Sequence, residues 1–287
     1  MALPPSVPPV VVSCVLASSA PVAAVITRFR TTPRWTCVHR WLIDEARLEP
    51  GAWTKLRLKE RRCRISADGE FLMYVATGPL GGPFSAYFGG AVAVSRVPWL
   101  SALTDIVPSC VAGGGPSKHA LSAADQTRLW NHFPGSRFYY TDDDWPQDLG
   151  PGWQRVDPAE FRASDFALNS RRAIVLAARA SIPGRVHSLV AIVDRREGGD
   201  SSGDRHRFFL KSPVAGGSRF QPLESFVWAH PHRNGMILAA TRDGHLQQLR
   251  LHDHADGGHS WRLEQDHDLS GLRPSPKPAP SVALRPL

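Results

Sequence analysis

The chain has 287 residues, 42% of them apolar and 21% charged, a balance that excludes a disordered protein and suits one large β domain or two smaller ones. Its formal charge of +8 comes from 29 Arg and 5 Lys against 26 acidic residues. The arginines are scattered over the whole chain, which argues against nucleic acid as a partner, because that function clusters its cations. No run approaches the roughly 18 apolar residues of a membrane helix, so no membrane association is expected.

Residues 1–19 are rich in Pro and Ser and are expected to form a disordered leader. An apolar patch over residues 10–24 loosely resembles a signal-peptide core, yet no positive charge precedes Arg28. The expected compartment is therefore the cytoplasm, with export the alternative if the first 24 residues act as an atypical signal. Cys14, Cys37, Cys63 and Cys110 form no C-x-x-C pair and read as reduced thiols. β-Branched runs at 22–26 and 35–43 predict two strands, and Leu48-Glu49-Pro50-Gly51 predicts a turn. Residues 51–78 then read as strand, tight turn and strand, with Ala67-Asp68-Gly69 at the turn.

A Pro/Gly loop at 79–83 leads to a strand at 87–94 and a short turn segment ending near Asp105. Gly113-Gly114-Gly115 marks a break. A short helix is expected near 122–133, capped by Ser122 with Asp125 three residues on. An acidic Asp142-Asp143-Asp144 knot and a loop through Trp153 follow. Strand signals resume at 173–178, 188–193, 207–210, 226–229, 236–241, 246–251 and 261–264, and the Pro-rich residues 273–287 read as a disordered tail.

Many short strands separated by turn residues predict an all-β chain, β-propeller-like, with a double-sheet β fold as the alternative. At about 40–45 residues per blade the single domain at 20–272 would hold about five to six irregular blades.

The stretch GAWTKLRLKERRCRISADGEFLMYVATG, followed by AVAVSRVPWLSALTD and Gly-Gly-Gly, resembles a family of uncharacterised bacterial β-propeller-like proteins over residues 22–115. The S-x-D-G-x-x-L-x-Y core (Ser66, Asp68, Gly69, Leu72, Tyr74) resembles the blade turn of WD40-like and TolB-like propellers, with Ala67 in place of the usual proline. The resemblance implies a fold and no activity.

Four candidate sites remain. Lys55, Arg57, Lys59 and Arg61 would share one strand face as a phosphate-binding strip, or simply protect an edge strand. Glu60 and the phase break at Arg62 favour the edge strand. His230, His232, His252 and His254, with Asp142 and Asp144, are the alternative metal ligands, because zinc needs three or four converging donors. The same carboxylates beside Tyr139, Tyr140 and Trp145 would suit a hydrolase acting on carbohydrate. Trp99, Trp145 and Trp153 fall in loops, and Arg96 stands beside the first of them; loop aromatics near Arg mark protein interfaces. The leading expectation is a scaffold without enzymatic activity or cofactor, binding a protein partner through rim loops at Arg96, Trp99, Trp145 and Trp153. The alternative is a hydrolase with a carboxylate or His-metal site.

Overall fold

A computed structural model describes residues 10–30, 33–77, 91–104, 107–108, 122–133, 149–157, 173–196, 205–214, 216–254 and 258–285. The chain divides into two compact units: residues 1–144 with 269–287, and residues 145–268.

The first unit opens with a meander of β1 (Val10–Leu16), β2 (Val22–Phe29), β3 (Thr36–Leu42) and β4 (Arg47–Thr54), each strand antiparallel to the next. Val10, Val12 and Cys14 alternate inward along β1, so a strand occupies part of what was expected to be a disordered leader. The prolines that suggested disorder stop at Pro9, and a β-branched run begins at the next residue. β2 is buried along almost its whole length, as its unbroken apolar run requires for a strand covered on both faces. Pro50 lies within β4 and not in a turn; β4 is an edge strand, where a missing N–H costs no ladder bond. The turn falls earlier, at Ala46 with φ 54°.

A second sheet follows, from β5 (Arg57–Leu58), β6 (Arg64–Ile65), β7 (Phe71–Thr77), β8 (Ala91–Arg96) and β9 (Val107–Pro108). β5 and β6 both pair with β7 and are separated by a 3-10 turn at Glu60–Arg62. That turn breaks the supposed four-cation strand face. Lys55 sits 5.4 Å over the Trp35 ring, and Arg28 pairs with Glu60. The two sheets pack through Ala24, Ile26 and Val38 against Leu58, Leu72, Tyr74, Ala76, Ala91 and Ala93.

Helix α1 (Ala123–Asn131) is capped as expected, with the Ser122 hydroxyl accepting from the Asp125 amide at 3.3 Å. Its Leu129, with Phe133 beyond it, covers Phe71, Met73, Val75, Val92 and Val94 on the second face of β7–β8. The Pro-rich tail also departs from expectation: a 3-10 turn at Ser281–Leu284 lies against β8 and buries Ala283.

The second unit holds two sheets in strict chain order. One comprises β10 (Gln154–Val156), β11 (Ala173–Ser181), β12 (Ser188–Arg196), β13 (Arg205–Val214) and β14 (Gly217–Pro222). The other comprises β15 (Phe226–His232), β16 (Met236–Thr241), β17 (His245–Asp253) and β18 (His259–Asp268). Their shared core is built from Ala178, Ala180, Ala191, Ala229 and Ala239, with Trp153, Phe208, Phe226 and Leu251 around them.

The described residues therefore form an all-β, β-propeller-like fold of four up-and-down sheets and one short helix, with fewer blades than the five or six expected from length. About 40–45 residues per blade overestimated the number because helix α1 and residues 269–280, among others described, lie outside the strands. No helix among the described residues is long and apolar enough to cross a membrane.

One turn recurs in both units. At Ser66-Ala67-Asp68-Gly69 the Ser66 hydroxyl donates to Asp68 Oδ1 at 2.5 Å and accepts from the Phe71 amide at 2.9 Å, while Asp68 Oδ1 also accepts from the Glu70 amide. At Thr241-Arg242-Asp243-Gly244 the Thr241 hydroxyl donates to Asp243 and accepts from the His245 amide at 3.1 Å. Gly69 completes the first turn with φ 78°, and a Cβ there would lie 2.7 Å from Val22 Cβ. Gly69→Ala should destabilise the protein by about 2–4 kcal/mol, combining left-handed strain with overpacking against a neighbouring strand. Gly152→Ala, also at positive φ but with open space around it, should cost only the strain. Urea denaturation of both variants checks the difference.

Candidate functional site

Four turns of the second unit gather at one end of its sheets. The β11–β12 turn at 182–187 and the β13–β14 hairpin share an end because Ser188 pairs with both Ser181 and Lys211. The β15–β16 and β17–β18 turns share an end because Met236 pairs with Arg250. The Gly235 amide donates to the Pro183 carbonyl at 3.0 Å and joins the two sheets there.

At this end stands a line of hydrogen bonds between three polar side chains. His187 is 6% exposed and Ser212 is 7% exposed. His187 Nε2 lies 2.7 Å from Asp253 Oδ1, and Nδ1 lies 2.9 Å from Ser212 Oγ. A carboxylate only accepts, so Nε2 carries the proton, and in the neutral ring Nδ1 then accepts from the Ser212 hydroxyl. The other carboxylate oxygen of Asp253 accepts from Arg185 Nη1 at 3.1 Å. The strand period explains how Asp253 arrives: Leu249, Leu251 and Asp253 share one face of β17, and the first two are core residues. His259 on β18 packs edge-on to His187 with ring centroids 5.5 Å apart, and its Nε2 is 2.6 Å from Gln221 Oε1. Burial, then the neighbouring His187 and Arg219 charges, hold the His259 pKa below its usual value. A hydroxyl aligned on the acceptor nitrogen of a carboxylate-held imidazole is the connectivity of a base-activated nucleophile.

None of Arg96, Trp99, Trp153 and the four histidines belongs to this line of hydrogen bonds. Arg96 pairs with Glu70 at 3.1 Å and stacks 4.8 Å over Phe71, so its charge serves the first unit internally. Trp99 is half-buried in the loop after β8, its carbonyl accepting from the Ser95 hydroxyl. Trp153, expected on an exposed loop, is 8% exposed and packs T-shaped on Phe208: the Pro151-Gly152 turn directs it into the core as β10 begins. Trp145, Asp142 and Asp144 lie outside the described residues, as do Cys110 and the triple glycine.

The four histidines do not assemble. His230 is buried beneath the loop, its Nε2 donating to the Pro151 carbonyl at 2.7 Å and its ring stacked on Trp228. His232 and His252 are half-buried, and His254 is exposed on the β17–β18 turn. Among the described residues no three His, Cys, Asp or Glu side chains are grouped to hold a metal ion. Cys14, Cys37 and Cys63 are free and buried, and burial pushes the thiols of Cys37 and Cys63 up to about 12.

Sequence reasoning missed His187 and Ser212, and gave Asp253 no role beyond that of a carboxylate near the paired histidines. Asp253 stands between the two histidines that drew notice, but the alternation of a strand turns it to the opposite face. The second hydroxyl-Asp-Gly turn at 241–244 was a legible signal, since Thr serves in place of Ser.

Compared with models of protein families, with curated proteins and with solved structures, the chain matches none. The sheet topology alone carries the likeness to propellers.

Burial holds the His230 pKa down to about 4, against 6.5 for the free side chain. A depressed histidine contributes fully above pH 6.5, and the contribution is lost as pH falls from 6.5 towards 4, where the unfolded chain takes up a proton that the folded chain does not. The loss amounts to about 3 kcal/mol. His230→Gln keeps a donor for Pro151 and should flatten the stability profile across that pH range, as urea titrations at pH 7, 5.5 and 4.5 would show.

Proposed function

We propose that the chain is a recognition scaffold that binds a protein partner through the loop end of its second unit. The observation that supports this reading is the pair of apolar tips at that end. Val186 is 74% exposed in the β11–β12 turn and Val214 is 48% exposed in the β13–β14 hairpin. Both belong to turns that are pinned from below, the first by Arg185 and His187 on Asp253, the second by Ser212 on His187. Loops held rigid before contact lose little conformational entropy on binding, so exposed apolar tips contribute more of their burial to affinity. Exposed apolar side chains on fixed loops thus suit recognition without chemistry.

In the first unit Trp99 is the corresponding candidate contact, half-buried beside Arg96. A reducing bacterial cytoplasm suits the three buried, unpaired thiols. Trp153 is withdrawn from the contact surface, because its ring is occupied by the core.

The test compares partner capture by the immobilised wild-type chain with capture by the Val186→Asp/Val214→Asp double variant. Stoichiometric capture by wild type, reduced at least about tenfold in the double variant, is expected from the loss of two apolar contacts at an interface. Val282→Asp, at an exposed valine of the first unit, should leave capture unchanged. Equal capture by wild type and the double variant overturns the assignment to this end.

A further inference from the structure

The end of the second unit carries more than exposed valines. We propose that Ser212 is a nucleophile for ester hydrolysis, with His187 as its general base and Asp253 as the group that orients the base. This reading goes beyond partner binding and departs from the expectation of a scaffold without chemistry.

The geometry supplies the parts in order. Ser212 Oγ stands 2.9 Å from His187 Nδ1, within the reach a general base needs to take the hydroxyl proton. His187 Nε2 is held 2.7 Å from Asp253 Oδ1, which fixes the tautomer and stabilises the imidazolium that forms. Asp253 is itself fixed by Arg185 at 3.1 Å, so the orienting carboxylate does not swing away. The bond order is the mirror of the usual one, with Nδ1 and not Nε2 facing the hydroxyl, but either imidazole nitrogen is a competent base. A cation faces the same place: Arg219 is the cross-strand partner of Ser212 on β14, so the two side chains rise from one face of the β13–β14 pair. Arg219 is exposed, and its charge reaches the same cluster, since it contributes to lowering the His259 pKa.

The step balances as follows. Ser212 Oγ attacks the ester carbonyl carbon and its proton passes to Nδ1, giving a tetrahedral oxyanion that faces the Arg219 cation. The carbon–oxygen bond to the leaving group breaks, and the alcohol departs with the Nδ1 proton. Water, deprotonated by Nδ1, attacks the acyl-Ser212 carbonyl; the acid is released and the hydroxyl recovers its proton. The net reaction is ester plus water to acid plus alcohol, without oxidant or metal. An ester whose carbonyl oxygen, or a neighbouring carboxylate, pairs with Arg219 is the substrate class that fits.

The probe is a fluorophosphonate, whose phosphorus takes Ser Oγ with loss of fluoride. The full-length chain is expected to gain one adduct, located on Ser212 by peptide mass spectrometry, and Ser212→Ala to gain none there. His187→Gln should slow labelling by about 100-fold or more, the range of a lost general base. Asp253→Asn should slow it comparably through the wrong tautomer. A network that serves only to hold the turns would not move the labelling rate in this way. Because His187→Gln disturbs buried hydrogen bonds, a second variant guards the result. Ser212→Cys keeps the geometry and should be alkylated by iodoacetamide faster than the buried Cys14, Cys37 and Cys63. Val282→Asp, at an exposed valine of the first unit, should label as fast as wild type. Absence of an adduct at Ser212 in natively folded chain, together with no preferential alkylation of Ser212→Cys, overturns it.

Discussion

Within each unit the structure depends on alanine at the layer where two sheets meet. Ala24, Ala76, Ala91 and Ala93 in the first unit, and Ala178, Ala180, Ala191, Ala229 and Ala239 in the second, are at most 2% exposed. Sheets faced with large side chains stand about 10 Å apart; a methyl group lets the backbones approach and brings more atoms into contact. An alanine buries little area of its own, so its direct hydrophobic contribution is small at about 25 cal/mol per Å². Its value lies in the dispersion contacts that the close approach allows to its neighbours. The bulk of the apolar area is then carried by larger residues beside the layer, Tyr74 in one unit and Trp153, Phe208 and Phe226 in the other.

Close sheets leave little freedom in register, and the turns set it. The hydroxyl-Asp-Gly turn closes β6 on β7 and β16 on β17 with the same bonds: a hydroxyl that donates to the aspartate and accepts from an amide at the start of the next strand. The local sequence thereby determines where each following strand begins, and a one-residue slip would turn every alanine of the layer outward. The Asp68 carboxyl is held below its ordinary pKa by Ser66 and the Glu70 amide, against an opposing effect of burial that is the largest single influence on it. The turn is thus tied to the ionised form of its aspartate.

This division between local and distant causes explains what was legible in the chain. The hairpin at Ser66–Gly69, the cap at Ser122 and the strands β7, β12, β16 and β17 were readable because a turn residue and a period-two pattern lie within a dozen residues of each other. β1 was obscured by the prolines before it, and the Pro50 strand by the rule that Pro marks a turn, which an edge strand escapes. The tail was misread because Pro-rich composition reports extension but says nothing of what the segment packs on; Ala283 finds β8 from nearly two hundred residues away. His187 lies in the β11–β12 turn, Ser212 on β13 and Asp253 at the end of β17, 25 and 66 positions from the histidine. Only the registers of β12 with β13 and the packing of β17 bring them together, and neither is encoded in any short motif.

The same three residues pose an energetic question. His187 is almost wholly buried, and a buried polar group without a partner costs about 1–3 kcal/mol, so the ring is tolerable only with both nitrogens bonded. Ser212 and Asp253 meet that need, and Arg185 offsets the charge of Asp253, which stands at the margin of solvent at 36% side-chain exposure. Such a network gives little net stability, since apolar side chains of equal volume would pack at least as well. Tying turns together therefore does not by itself call for a hydroxyl, an imidazole and a carboxylate in line. What distinguishes this arrangement from a plain clamp is its setting: Ser212 is itself buried, but its cross-strand partner on β14 is an exposed arginine, Arg219. A polar chain that is costly to bury, with a hydroxyl aligned on an imidazole nitrogen and a cation across the strand pair from it, is better accounted for by chemistry than by packing.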